Sequence, residues 1–254
     1  MPGPHRPLID PSLRRKGIFL LPNLFTTSAL FAGFYAIVQA MNGRFEHAAV
    51  AIFVAMILDG LDGRVARLTK TQSPFGAEYD SLSDMVSFGV APALVIYVWA
   101  LKDLGKLGWI AAFVFCVGAA LRLARFNTKL DVADKRWFQG LPSPSAAALL
   151  AGLVWVMTDY DIVGRDVVWG AWALTLFAGL SMVSNLRYYS FKEINMRKSI
   201  PFVALLLIVV GFALLVYKTA QVLFLFFVAY ALSGYVLAIL ALARRRSAAG
   251  RGPR

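Results

Sequence analysis

The sequence predicts an all-α integral membrane protein with about eight transmembrane helices and both termini on the cytoplasmic side. Three observations carry that prediction: composition, the length of the apolar runs, and the placement of positive charge. Of the 254 residues, 59% are hydrophobic and 16% charged, whereas a soluble domain averages about a quarter charged. Mean hydropathy is +0.66. Apolar runs recur along the whole chain, each near the ~20 residues that cross a bilayer as a helix. They fall near 22–41, 46–68, 81–101, 107–126, 142–158, 167–184, 202–217 and 221–243.

An even number of spans puts both termini on one side. The segments on that side carry 21 basic residues; the opposite connections carry five, namely Arg44, Lys102, Lys106, Arg165 and Lys218. Five acids on the opposite side (Glu46, Asp103, Asp159, Asp161 and Asp166) cancel those five, so the net charge of +12 lies on one face. The positive-inside rule makes that face cytoplasmic. A basic face of this kind suits anionic membrane lipid and phosphate-bearing substrates, and no nucleic-acid partner is needed to explain it.

In chain order, residues 1–20 form a cytoplasmic juxtamembrane segment with Arg6, Arg14, Arg15 and Lys16. No small-residue cleavage site follows the first apolar run, so the first span is expected to be an uncleaved anchor. Residues 21–243 read as one membrane domain, and 244–254 as a basic disordered tail near anionic lipid. The extracytoplasmic connections are short. The cytoplasmic connections 69–80, 127–141 and 185–201 are longer and hold most of the unusual residues, whereas the last two spans offer almost nothing polar beyond Lys218 and Gln221 and nothing catalytic. Cys116 lies alone in an apolar run and reads as a packing residue. His5 in a terminus and His47 at the opposite membrane face are poor catalytic candidates.

Chemistry concentrates in residues 59–84, DGLDGRVARLTKTQSPFGAEYDSLSD. Asp59 and Asp62 are three apart and share a helix face at the end of the second span. Asp80 and Asp84 are four apart and share a face at the start of the third. A helical hairpin turning near Thr71 sets Asp59 level with Asp84 and Asp62 level with Asp80. Four such carboxylates repel one another in a low dielectric, and hard divalent cations with oxygen ligands resolve the conflict. Helix capping is the bland alternative. It fits Asp80 but not Asp59 and Asp62, which end a helix where the dipole disfavours anions. Gly60, Gly63 and Gly76 leave room beside the acids for a ligand or a helix. Arg67 is placed to grip a phosphate.

These residues form the pattern Asp-x-x-Asp-Gly-x-x-Ala-Arg followed by Gly-x-x-x-Asp-x-x-x-Asp, here Asp59, Asp62, Gly63, Ala66 and Arg67, then Gly76, Asp80 and Asp84. The chain thereby resembles the CDP-alcohol phosphotransferases at every motif position. The resemblance implies metal-dependent transfer of a substituted phosphoryl group from a CDP-linked donor to an alcohol, with release of CMP. It implies two Mn2+ or Mg2+ ions, the first held by Asp59, Asp62 and Asp80 and the second by Asp59, Asp80 and Asp84. Asp84 takes the part of general base, with Asp80 beside it. Asp59, Gly60, Gly63, Arg67 and Ser73 take the part of contacts to the CDP moiety. A homodimer in a prokaryotic cytoplasmic membrane, with the site facing the cytoplasm, is also implied.

Three further stretches, LPNLFTTSALFAGF at 21–34, RLARFN at 122–127 and FQGLPSPSAAA at 138–148, resemble the membrane-embedded phosphatidylserine synthases within that family. They imply CDP-diacylglycerol as donor and L-serine as acceptor. A serine carboxylate needs a cation, and Arg122 or Arg125 is a candidate; binding a lipid phosphate or anchoring the basic face fits both equally. Asn127 reads either as a substrate contact or as a helix-end cap. Glycerol 3-phosphate, inositol phosphate and choline stand as alternative acceptors. A cation transporter is the alternative from another class, but it would carry its acids near the midplane and show repeated or broken helices. No serine, cysteine or histidine forms a nucleophile–base pair, so direct in-line displacement is expected.

Overall fold

The computed structural model describes residues 11–69, 71–128, 137–190 and 202–249. Expectations that fall on other residues, among them lipid contacts by Lys129, Lys135 and Arg136, lie outside the described part. The fold is all-α apart from one small ribbon: α1 (Pro11–Met41), α2 (Phe45–Thr69), α3 (Pro74–Asp84), a π-helical turn (Met85–Val90), α4 (Ala91–Trp99), α5 (Lys106–Thr128), β1 (Trp137–Gln139), α6 (Ser143–Asp159), α7 (Val168–Val183), β2 (Arg187–Tyr189), α8 (Phe202–Tyr217) and α9 (Thr219–Ala249). Two helical boundaries differ from expectation. Helix α1 begins eleven residues before the expected first span, and α9 continues through 244–249, where a disordered tail was expected.

Among the described residues, five helical stretches are long and apolar enough to cross a membrane: Pro22–Met41, Pro74–Trp99, Lys106–Thr128, Gly164–Val183 and Thr219–Ala243. The chain is an all-α integral membrane protein. Helix α2 is not among the five because its second half carries Asp59, Asp62, Arg64 and Arg67. Helix α6 has only 17 residues.

Small residues let the helices approach closely, as packing in a membrane requires. An alanine stripe on α1 (Ala29, Ala32, Ala36, Ala40) meets Ala48, Ala49, Ile52 and Ala55 of α2, all buried. Helix α6 is the central element. Residues 146 to 154 are buried on every side, against α2, α4, α7 and α9. Helices α5 and α7 touch backbone to backbone, since a Cβ on Gly179 would lie 2.9 Å from Phe115 Cα.

The α3–α4 rod contains a π-helical turn for a local reason. Pro92 has no N–H to return to Phe88, and the chain widens so that the Ala91 N–H reaches Val86 O instead. The turn starts at the residue after Asp84.

Two of the long connections, 127–141 and 185–201, pair as an antiparallel ribbon in the register Trp137↔Tyr189, Phe138↔Tyr188 and Gln139↔Arg187. Gly140, at φ +78, lets the chain leave β1 while its N–H donates to Leu186 O at 2.8 Å. Any side chain there would strike Met182 O. Tyr188 is fully buried and its hydroxyl donates to Ala231 O at 3.1 Å, which fastens the ribbon to α9.

Candidate active site

The acidic centre is assembled by three helices rather than by the expected two-helix hairpin. Helices α2 and α3 both pack on α1 and make little contact with each other. Asp59 and Asp62 project from one face of α2. The start of α3 is fixed by Ser73, whose Oγ accepts the Gly76 N–H at 3.0 Å, with Pro74 in the first turn. This is a standard N-cap arrangement, and it phases Asp80 and Asp84 toward the acids of α2.

The carboxylates meet in the pairs that the spacing around Thr71 requires. Asp59 reaches Asp84, and Asp62 reaches Asp80. Oxygens of Asp59, Asp62 and Asp80 lie within 4.8 Å of one another. At an effective dielectric of about 20, two full charges at that separation repel by about 3–4 kcal/mol. No arginine or lysine forms an ion pair with any of the four among the described residues. Oδ1 of Asp80 and Oδ1 of Asp84 are buried with no hydrogen-bond partner. An oxygen-only, strongly anionic cluster with orphaned buried oxygens fits divalent cations of the Mg2+ or Mn2+ kind. Asp59, Asp62 and Asp80 are the residues that would hold an ion, with Asp84 beside them.

The centre opens on a cavity of about 640 Å3. One wall is α2, with Asp59, Gly60, Gly63, Arg64 and Arg67, and Asp84 lies beside it. A Cβ on Gly60 or Gly63 would meet nothing within 4 Å. These two glycines therefore serve no packing contact within the chain, and their bare faces keep the cavity wall open. Arg67 Nε donates to Gly63 O at 2.9 Å, which holds the guanidinium along the same wall. The far wall comes from α5 (Arg122, Phe126), the ribbon (Phe138, Tyr189, Ser190), the start of α6 (Pro142, Pro144) and α9 (Phe226, Tyr230). A larger groove of about 790 Å3 between the ribbon and the end of α9 has an apolar lining apart from Asn185 and Arg187. It holds no constellation of reactive groups, so chemistry favours the smaller cavity.

The other residues singled out in the sequence are placed as follows. Arg122 lies in the cavity wall with Nη1 donating to Ser143 Oγ at 2.9 Å. Arg125 points away, donating to the carbonyls of Val183 and Ser184 at the end of α7 and to Asn185 Oδ1. Asn127 Nδ2 donates to Ser81 Oγ at 3.1 Å, tying the end of α5 to α3. Ser73 is the cap of α3 and does not line the cavity.

Sequence reasoning missed three residues. Thr26 of α1 donates to Asp62 Oδ2 at 2.8 Å; its only signal was a polar Thr-Thr-Ser cluster inside an apolar run. Tyr230 reaches the cavity from α9, a span expected to take no part in the site. Ser190 sits in the wall with nothing in its sequence surroundings to mark it.

A buried carboxylate cluster suited to divalent ions, opening on an arginine- and glycine-walled cavity in a helical membrane bundle, defines a membrane-embedded phosphotransferase. Residues 19–177 match the family described as CDP-alcohol phosphatidyltransferase, and the chain belongs to that family of enzymes. It is 40% identical over 178 residues to a Helicobacter pylori protein named CDP-diacylglycerol–serine O-phosphatidyltransferase, covering 70% of this chain and 75% of the relative. A protein of the same name from Methanocaldococcus jannaschii is 42% identical over 137 residues, covering 54% of this chain and 61% of the relative. One from Saccharomyces cerevisiae is 38% identical over 139 residues, covering 49% and 50%.

Proposed function

We propose that this protein transfers the phosphatidyl group of CDP-diacylglycerol to the hydroxyl of L-serine, giving phosphatidylserine and CMP, in a divalent-metal-dependent reaction. The observation that carries the reading is the convergence of four aspartates beside a cavity whose α2 wall is bare glycine and arginine. Similarity to relatives named for serine supports the choice of acceptor.

In this reading Asp59, Asp62 and Asp80 would hold one ion, and Asp59, Asp80 and Asp84 would hold a second. Bound ions supply neutralisation of the donor pyrophosphate and of the charge that develops on departing CMP. Gly60 and Gly63 admit the CDP moiety against α2, and Arg67 offers its guanidinium to a phosphate. Ser73 fixes the phase of α3. Asp84 accepts the proton of the acceptor hydroxyl as that oxygen attacks phosphorus, the bond to the CMP oxygen breaks, and CMP leaves with the electron pair. The rings of Phe126, Phe138 and Phe226 give the far wall an apolar lining. No covalent intermediate on the protein is required, because no serine, cysteine or histidine among the described lining residues is paired with a base.

The same reading places the helices as eight spans with both termini in the cytoplasm, the site facing the cytoplasm of a prokaryotic membrane, and the unit as a homodimer on anionic lipid. Charge asymmetry supports the orientation, and donor tails that stay in the cytoplasmic leaflet reach the cavity sideways.

The test is an acceptor screen. Purified protein receives CDP-diacylglycerol, Mn2+ or Mg2+, and serine, glycerol 3-phosphate, inositol phosphate or choline in turn, with CMP release as the readout. Release with serine alone is expected, and chelation should abolish it. Release with another alcohol and none with serine would sink the acceptor assignment.

A further inference from the structure

Two polar groups on the far wall of the catalytic cavity are buried without partners: Nε of Arg122 and Oγ of Ser190. Burying a charged or hydroxyl donor with no acceptor costs free energy, so in a native fold each such group asks for an explanation. Neighbouring polar groups on that wall are engaged. Nη1 of Arg122 is occupied by Ser143, and the Tyr230 hydroxyl donates to Tyr189 O at 3.1 Å, next to Ser190. Arg122 and Asp84 sense each other across the cavity without forming an ion pair.

We infer that Arg122 and Ser190 form the acceptor subsite, built to bind the single carboxylate of a small hydroxy-acid such as serine through the Arg122 Nε–H and the Ser190 O–H. This rests on the phosphatidyl-transfer reading above and assigns the acceptor end of that site. The carboxylate takes the two unpartnered donors, and the hydroxyl and ammonium turn toward the aspartates.

The charge count favours this class over the alternatives. Among the described residues lining the cavity, Arg122 is the one cation on the wall away from α2, whereas Arg64 and Arg67 lie on the exposed flank beside the glycines. One buried cation matches a singly charged carboxylate. A phosphate-bearing alcohol brings close to two negative charges, leaving one unmatched. A purely cationic alcohol leaves Arg122 still without a partner for Nε. Arg125 is committed to the end of α7 and Asn127 to α3, so neither is available for this role.

The experiment measures steady-state CMP release by the full-length protein with serine and CDP-diacylglycerol varied separately, for wild type, Ser190→Ala, Arg122→Gln and Arg122→Lys. Ethanolamine, which is serine without its carboxylate, serves as a competing acceptor. Losing a hydrogen bond to a charged group corresponds to roughly tenfold or more in affinity, and losing a buried charge partner to roughly a hundredfold. Ser190→Ala is therefore expected to raise the serine KM about tenfold and Arg122→Gln about a hundredfold, with the CDP-diacylglycerol KM unchanged. Arg122→Gln should also erase the preference for serine over ethanolamine, and Arg122→Lys should recover part of it. Monodispersity and stabilisation by CDP-diacylglycerol report that each variant is folded. If wild type uses serine but the variants affect both substrates alike, or Ser190→Ala leaves the serine KM unchanged, the subsite is refuted and the reaction stands. If wild type releases CMP only with an acceptor lacking a carboxylate, both fall.

Discussion

Replacing Thr26 with valine deletes one hydroxyl and keeps the β-branched shape, so α1 should pack on α2 as before. What disappears is the 2.8 Å hydrogen bond from Thr26 Oγ1 to Asp62 Oδ2. The same hydroxyl lies 3.1 Å from Pro22 O, but it has one proton and the charged oxygen is the stronger acceptor. Asp62 is 5% exposed, so water cannot take over the lost bond without opening the helix contact. A hydrogen bond to a buried charge is worth about 1.5–3 kcal/mol, or roughly a factor of ten to a hundred in an equilibrium constant. Outer partners of metal-binding carboxylates cost a similar factor when removed. Thr26→Val should therefore raise the half-saturating Mn2+ concentration for CMP release by that factor, while saturating Mn2+ restores most of kcat. Free Mn2+ counted by electron paramagnetic resonance gives the binding curve independently of turnover. A lowered Tm with an unchanged Mn2+ curve would show that Thr26 only packs, and would refute the reasoning.

Two other substitutions separate ligand space from packing and chemistry from binding. Gly63→Ala puts a methyl where nothing lies within 4 Å; in a helix interior it should stabilise the fold by about 0.8–1 kcal/mol. It should also raise the CDP-diacylglycerol KM, so Tm and KM rise together, and a KM that stays put would mean the open face is not ligand space. Asp84→Asn preserves size but removes the proton acceptor. It should lower kcat by roughly 10²–10⁴-fold, and retained turnover would take Asp84 out of the base role.

The acidic centre was legible because its four members sit within 26 residues of sequence on two helices of known period. Symmetry of 59/84 and 62/80 about one turn sufficed to pair them. The error was in the supporting architecture. Spacing assumed a hairpin in which α2 and α3 pack on each other, whereas both lean on α1, and no local pattern in residues 45–84 announces a third helix. Of the far wall the sequence singled out Arg122, and how that wall assembles was illegible for the same reason. Arg122, Ser143, Ser190 and Tyr230 come from four separate elements, and their meeting depends on Gly140 and the β1–β2 ribbon. Short pairings between distant loops leave no periodic signal. In α9, Tyr230 and Phe226 are one helical turn apart, a spacing that reads as ordinary lipid-facing or core packing until the partner wall is known.

The position of α1 gives the site its rigidity. Thr26 donates to Asp62 through its side chain, and its own carbonyl accepts from Ser83 Oγ at 3.1 Å. One residue of α1 thus touches both acid-bearing helices. One turn further on, Ser87 Oγ donates to Ala29 O at 3.1 Å, and Gly33 lies so close that an added Cβ would sit 2.6 Å from Ser87 Oγ. Ser83 and Ser87 flank Asp84 and lie at or inside the π-helical turn, where the i to i+5 spacing rotates the following helix relative to the preceding one. Two serine-to-carbonyl bonds on α1 fix that rotation. Four mutually repelling carboxylates would otherwise swing apart when no cation is bound. Holding them through the Thr26 hydroxyl and the α1 carbonyls, all uncharged groups, keeps the geometry without adding a counter-charge that would compete with the metal. That is why the cluster is braced by threonine and serine, and why its arginines stand at the ligand side of the cavity.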